Sequence, residues 1–155
     1  MEGPVREMVH RLKYDGWRVL AGVLAKPLAQ DLTRRGQRPD ALAPVPLHPS
    51  RERERGYNQA SLLAHELGNL AGIPVARRAL VRVRPTPPQV GAQNAAAREA
   101  AVAGAFRCDT PSLRGRSVML VDDVCTTGAT LNACAAALLA GGVGEVRGLV
   151  VAREP

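Results

Sequence analysis

Aromatic side chains are nearly missing from this sequence. One Trp, two Tyr and one Phe make up 3% of 155 residues. Such a chain must build its core from Ala, Val and Leu, and it lacks the paired aromatics of an RNA-recognition fold. Cysteine is equally sparse. Cys108, Cys125 and Cys134 form no CxxC pair, so neither a disulfide framework nor a zinc site is expected. No apolar run approaches the roughly 20 residues that span a bilayer, and no amino-terminal signal pattern is present. The expected location is the cytoplasm. Lysine is confined to Lys13 and Lys26, so arginine carries most of the positive charge. Its planar fork suits phosphate and carboxylate. A formal charge of +7 is compatible with nucleic acid, a membrane surface or small anions, and does not choose among them.

The length and the 46% hydrophobic fraction suit one domain over 1–155, with a helical segment at 1–38 and an α/β core at 41–155. Val5, Met8, Val9 and Leu12 have helical spacing, broken by Lys13 to Gly16. The spacing resumes from Trp17 to Leu28, with a kink or restart expected at Pro27. Ala41 to Leu47 reads as a short strand despite Pro44 and Pro46, and the arginine-rich stretch from Pro49 to Gln59 as a loop. Ala60, Leu63, Ala64, Leu67 and Leu70 mark a helix ending near Gly72. Leu80 to Val83 reads as a strand, 85–94 as an exposed loop and 95–103 as a short helix. Ala105 and Phe106 look like an anchor in the core.

The stretch from Ser117 to Thr130, SVMLVDDVCTTGAT, organises the rest. Val118 to Val121 form an apolar run that reads as a buried strand ending on two acids, Asp122 and Asp123. Cys125 to Thr130 read as a tight polar loop opening a helix over 129–140. Gly141 and Gly142 stop that helix, and a strand over 146–152 follows. Strand, helix and strand form a parallel, right-handed βαβ unit. Carboxyl ends of strands are where such sheets bind ligands. Free amides at the helix start, threonine hydroxyls and a permissive Gly128 make an anion cradle. Acids beside a phosphate cradle suit a sugar phosphate, with its diol on Asp122 and Asp123. The chain has no GxxxxGK(S/T) and no GxGxxG after a strand, which removes the P-loop and dinucleotide alternatives. No histidine neighbours Cys125 in sequence, so it reads as a packing residue rather than a nucleophile.

VMLVDDVCTTGAT resembles the phosphoribosyl pyrophosphate signature of type I phosphoribosyltransferases. LKYDG at 12–16, PVPLHPSRERERGYNQASLLA at 44–64, and Gln89, Gly91, Arg98, Gly104, Ala105 and Phe106 extend the resemblance to the competence protein F (ComF) family. The family pattern usually carries asparagine where Ala101 stands, and a Leu-Ser-like start where Ala92, Gln93 and Asn94 stand. It also commonly places a cysteine-rich zinc segment before the LKYDG-like stretch, so this chain resembles the transferase-like core alone. The resemblance implies a type I fold, a mainly parallel sheet flanked by helices with a mobile loop over the active site. It implies a Mg2+ complex of phosphoribosyl pyrophosphate as ligand, transfer to an unidentified acceptor, and release of pyrophosphate. Asp122 and Asp123 would then hold ribose hydroxyls and the metal. Val124, Cys125, Thr126, Thr127, Gly128, Ala129 and Thr130 would complete the ribose-5-phosphate site. Leu47, His48, Arg51, Arg55 and Arg98 would serve pyrophosphate, Arg98 also acting in catalysis. Tyr57 is the main aromatic candidate for stacking an acceptor base. The same resemblance suggests single-stranded DNA or competence proteins as partners, and a homodimer is compatible with it.

Overall fold

The computed structural model describes residues 3–84, 102–108 and 110–154. Gln89, Gly91, Arg98, the expected loop at 85–94, and residues 95–101 of the expected helix lie outside them. Two helices come first, α1 (Pro4–Tyr14) and α2 (Leu20–Arg34). Pro27 neither ends nor restarts α2, which is assigned as one helix. Its missing N–H would have met the Val23 carbonyl, and both residues lie on the exposed face where water can take that acceptor.

Next come β1 (Ala41–Pro44), α3 (Pro49–Arg55) and α4 (Gln59–Ala71). The strand stops three residues earlier than the apolar pattern predicts, because Pro44 and Pro46 cannot donate. Val45 still donates to Val121 O at 3.0 Å. The stretch expected as a loop contains a helix instead. Pro49 opens α3 at its first turn, the His48 side chain accepts from Ser50 N, and Gly56 closes it at φ 81°.

The small strands β2 (Leu80–Arg82) and β3 (Phe106–Cys108) pair antiparallel as a separate sheet. Then follow β4 (Ser117–Cys125), α5 (Ala129–Ala140) and β5 (Glu145–Arg153). The main sheet has the order β1-β4-β5, all parallel, and β4 is its centre. Asp40 pins the sheet's lower edge: its Oδ2 accepts from Ser117 N and from Ser117 Oγ, both at 2.8 Å.

Side chains alternate along β4, and so do the two halves of the core. Val118 and Leu120 pack with Cys134 and Leu138 of α5 and with Leu80 and Phe106 of the small sheet. Met119 and Val121 pack with Leu12 of α1, Leu24 and Leu28 of α2, and Leu63 and Leu67 of α4. Both faces of the sheet are covered, which is why its central strand reads as an unbroken apolar run.

Candidate functional site

The strand expected over 118–122 runs on to Cys125 in β4, so both acids sit within it. Alternation sends them to opposite faces. Asp123 shares the face of Met119 and Val121 and is 2% exposed. There Lys13, at the end of α1, places Nζ 2.9 Å from Asp123 Oδ2. The same carboxylate's Oδ1 accepts from Val124 N at 2.7 Å. Asp122 lies on the other face, in the fields of Arg82 and Cys134. Burial, and then the charge of Asp123, push its carboxyl up to about 8. The two acids therefore have different surroundings: one is paired with a lysine, the other makes no ion pair among the described residues.

Beyond Cys125 the chain turns through Thr126 and Thr127 to Gly128, whose φ is 83°. A left-handed residue is needed there to bring the start of α5 back over the strand end, and glycine takes it without strain. The first helical bond runs from Asn132 N to Gly128 O. The amides before Asn132 have no acceptor within the helix. Thr127 Oγ1 meets only one, Ala129 N, at 3.4 Å. Thr126 is exposed, while Thr127, Gly128 and Thr130 are half-buried. The structure thus brings Asp122 and the Thr126 to Thr130 loop together at one strand end. Cys125 is only half-buried, and its Sγ lies 3.9 Å from Thr126 O.

The residues expected at pyrophosphate are divided by α3. Leu47 lines a cleft of about 330 Å3 together with Arg77, Arg78 and Arg82. Arg51 and Arg55 line another, of about 710 Å3, with Lys13, Tyr14, Asp15 and Glu54. His48 caps α3, its Nδ1 lying 2.7 Å from Ser50 Oγ. Arg55 donates to Gln59 Oε1 at 2.5 Å and sits 5.4 Å from the centre of the Tyr14 ring.

Tyr57 is not an acceptor platform. It is 9% exposed, its hydroxyl donates to the backbone oxygen of Leu12, and Arg18 covers its ring at 4.7 Å. Packing of α1 against the α3–α4 junction turned it inward. Asn58 works beside it: Nδ2 donates to Val45 O at 2.9 Å and Oδ1 accepts from Ala60 N at 3.0 Å. Asn58→Ala removes a helix cap and leaves a buried carbonyl without its donor. It is expected to lower stability by about 2 kcal/mol in urea unfolding.

Three residues with a place at this site were missed from sequence. Lys13 and Tyr14 lie in the quoted LKYDG segment, where a lysine and an exposed aromatic were the available signals. Arg82 carried no signal beyond its charge.

Among the described residues no three His, Cys, Asp or Glu side chains gather around a common point. The described residues by themselves offer no metal cage there. Mg2+ needs none when substrate phosphates and water fill its shell and one or two carboxylates complete it. Asp122 fits that requirement, since a cation beside it would offset the burial and repulsion that hold its proton.

The phosphoribosyl transferase domain family matches residues 23–155. The DNA utilization protein YhgH of Salmonella typhimurium is 35% identical over 149 residues, covering 93% of this chain and 65% of that protein. Competence protein F of Haemophilus influenzae is 35% identical over 151 residues, covering 93% and 66%. The chain thus spans just under two thirds of the length of these relatives. Among solved structures, the glutamine phosphoribosylpyrophosphate amidotransferase of B. subtilis aligns with a TM-score of 0.58 at 22% identity, over 84% of this chain and 26% of that one. A purine phosphoribosyltransferase from Pyrococcus horikoshii aligns at 0.54 and 21%, over 90% and 74%. These alignments establish the fold. By the match over residues 23–155 the chain belongs to the phosphoribosyl transferase domain family, with the type I fold, and its sequence is similar to competence protein F and the YhgH proteins.

Proposed function

We propose that this chain binds phosphoribosyl pyrophosphate as its Mg2+ complex and transfers the phosphoribosyl group to an acceptor, releasing pyrophosphate. The observation that carries this is Asp122 at a strand end that passes directly into the Gly128 turn and the free amides of α5. The 5′-phosphate lies in the Thr126 to Thr130 loop, and the ribose hydroxyls lie on Asp122. Lys13 holds Asp123 behind them, so Asp123 serves the site by fixing the strand end. Leu47 borders the pyrophosphate on one side of α3, Arg51 and Arg55 border it on the other, and His48 stands at the start of that helix. Arg98 keeps the clamp role that the family pattern implies.

In the reaction the acceptor's lone pair forms a bond to the anomeric carbon. The carbon–oxygen bond to pyrophosphate breaks, and its electron pair leaves with pyrophosphate. Positive charge grows on the sugar while negative charge grows on the leaving group. A carboxylate near the ribose and arginines near the pyrophosphate stabilise these opposite changes. Bound Mg2+ supplies further neutralisation of the leaving group. Calorimetric titration with phosphoribosyl pyrophosphate, with and without Mg2+, tests the reading. Magnesium-dependent binding is expected, and no binding by the wild-type chain rejects it.

A second reading, binding of single-stranded DNA, is favoured by one surface and by the relatives' names. Tyr14 is 67% exposed and Trp17 48%. Arg55 sits over the first ring, and Arg11 over the second at 4.7 Å. Exposed rings interleaved with arginines suit stacked bases and their phosphates. Trp17 is the sole tryptophan, so its fluorescence reports on this surface. Oligothymidylate is expected to quench it, with affinity falling as salt rises and about tenfold weaker in Tyr14→Ala. Absence of quenching by wild type at low salt rejects direct binding here.

A further inference from the structure

Strand β5 forms one edge of the main sheet, and among the described residues nothing pairs with its outer side. It is 9 residues long and contains neither proline nor lysine, the residues that commonly blunt such an edge. Its outward N–H and C=O groups are a template for another strand. Both halves of the core also run out to it. Val146 packs with the α5 side, and Leu149 and Val151 pack with the α2 side, yet all three are only half-buried. Val118 and Val121, which pair with Val146 and Leu149 on β4, are 1% and 0% exposed. The difference is one neighbouring strand: β4 has one on each side, β5 on one side only.

The charges on β5 select the strand that fits. Glu145 and Arg153 stand equally far from Leu149, one before it and one after, and both are exposed. Two copies of β5 running antiparallel about a two-fold axis at Leu149 therefore set each Glu145 opposite the other copy's Arg153. In that register Leu149 meets its own copy, Val146 meets Ala152 and Arg147 meets Val151, so no like charges face each other. Arg147 keeps its ion pair with Glu145 of its own chain, at 2.7 Å. Arg153 makes no ion pair among the described residues. A parallel, in-register copy would instead oppose Glu145 to Glu145 and Arg153 to Arg153, which is unfavourable. We propose that β5 is a self-association edge, on which a second copy of this chain pairs antiparallel about Leu149 and continues the sheet through both subunits. The carboxyl ends of the two sheets then point in opposite directions, so self-association is independent of which ligand each strand end holds.

Sedimentation equilibrium tests this on wild type, Glu145→Arg, Arg153→Glu and the double variant that carries both. Wild type is expected to pass from monomer to dimer as its concentration rises from about 1 to about 200 μM. A chain that stays monomeric over that range overturns the proposal. Each single reversal sets like charges opposite one another at both ends of the pairing and is expected to weaken the dimer about tenfold. The double variant restores opposite charges and is expected to return to within about threefold of wild type. A dimer that neither reversal weakens is built on another surface and overturns the assignment. So does a loss that the double variant fails to repair. Both side chains are exposed, and thermal melting reports whether each variant folds. Where a reversal does not fold, Glu145→Gln or Arg153→Gln replaces it: weakening of about two- to threefold supports the pairing, and wild-type affinity overturns it.

Discussion

Replacing Lys13 with methionine is expected to destabilise the protein by about 3–5 kcal/mol, the usual loss when one partner of a buried ion pair is removed. Methionine keeps the apolar stem that packs at the end of α1, so the change isolates the charge. It leaves Asp123, 2% exposed, with no cation to balance it. The double variant Lys13→Met with Asp123→Asn removes both charges and is expected to recover most of the loss. Urea unfolding of the two variants gives the comparison directly. A loss below about 1 kcal/mol for the single variant would mean that Lys13 does not neutralise Asp123 in solution. The prediction also bears on function, because Lys13 lines the 710 Å3 cleft while its partner sits behind the ribose site. A ligand in that cleft touches the same ammonium that holds the strand end.

Asp122→Asn is expected to have two large effects of opposite sign. Binding of phosphoribosyl pyrophosphate with Mg2+ should weaken about 100-fold, in line with the loss of charge-assisted hydrogen bonds contributing 1.5–3 kcal/mol. The ligand-free protein should become more stable at pH 8, by about 1 kcal/mol or more. The second effect follows from linkage. Asp122 is held up at about 8 against an ordinary value of 3.8, so the folded chain keeps a proton that the unfolded chain releases. Stability from this group is therefore highest at acid pH and is lost as pH rises from about 4 to about 8. The groups setting its environment are Asp123, Lys13, Cys134 and Arg82. In Asp122→Asn that portion of the pH dependence should vanish. If the variant and wild type share one stability profile from pH 5 to pH 9, Asp122 is not the strained acid described here. A carboxylate that costs stability when empty and is needed when ligand is bound is the common pattern of a functional site.

The helix α3 shows why a local signal can be present and still be passed over. Pro49 at the first turn, Glu52 near it, arginines in the last turn and Gly56 after it all mark a helix. The segment nevertheless reads as a loop, because none of its residues is buried. Hydrophobic periodicity reports a buried face, and α3 has none. The opposite holds for α4 and α5, whose buried Leu63, Leu67, Cys134 and Leu138 gave a face that the spacing made visible.

What the sequence by itself determined is the machinery built from near neighbours. The apolar run of β4, the acids at its end, the Gly128 turn and the start of α5 follow one another in the chain. Strand alternation, a positive φ and free helix amides are consequences of local order. Only the tertiary structure decided what each acid faces. Packing α1 against one side of β4 delivered Lys13 to Asp123 and buried Tyr57, while the small sheet brought Arg82 to the side of Asp122. These partners are far apart in sequence. Their charges meet because both faces of the sheet had to be covered, and no local pattern records which element covers which face.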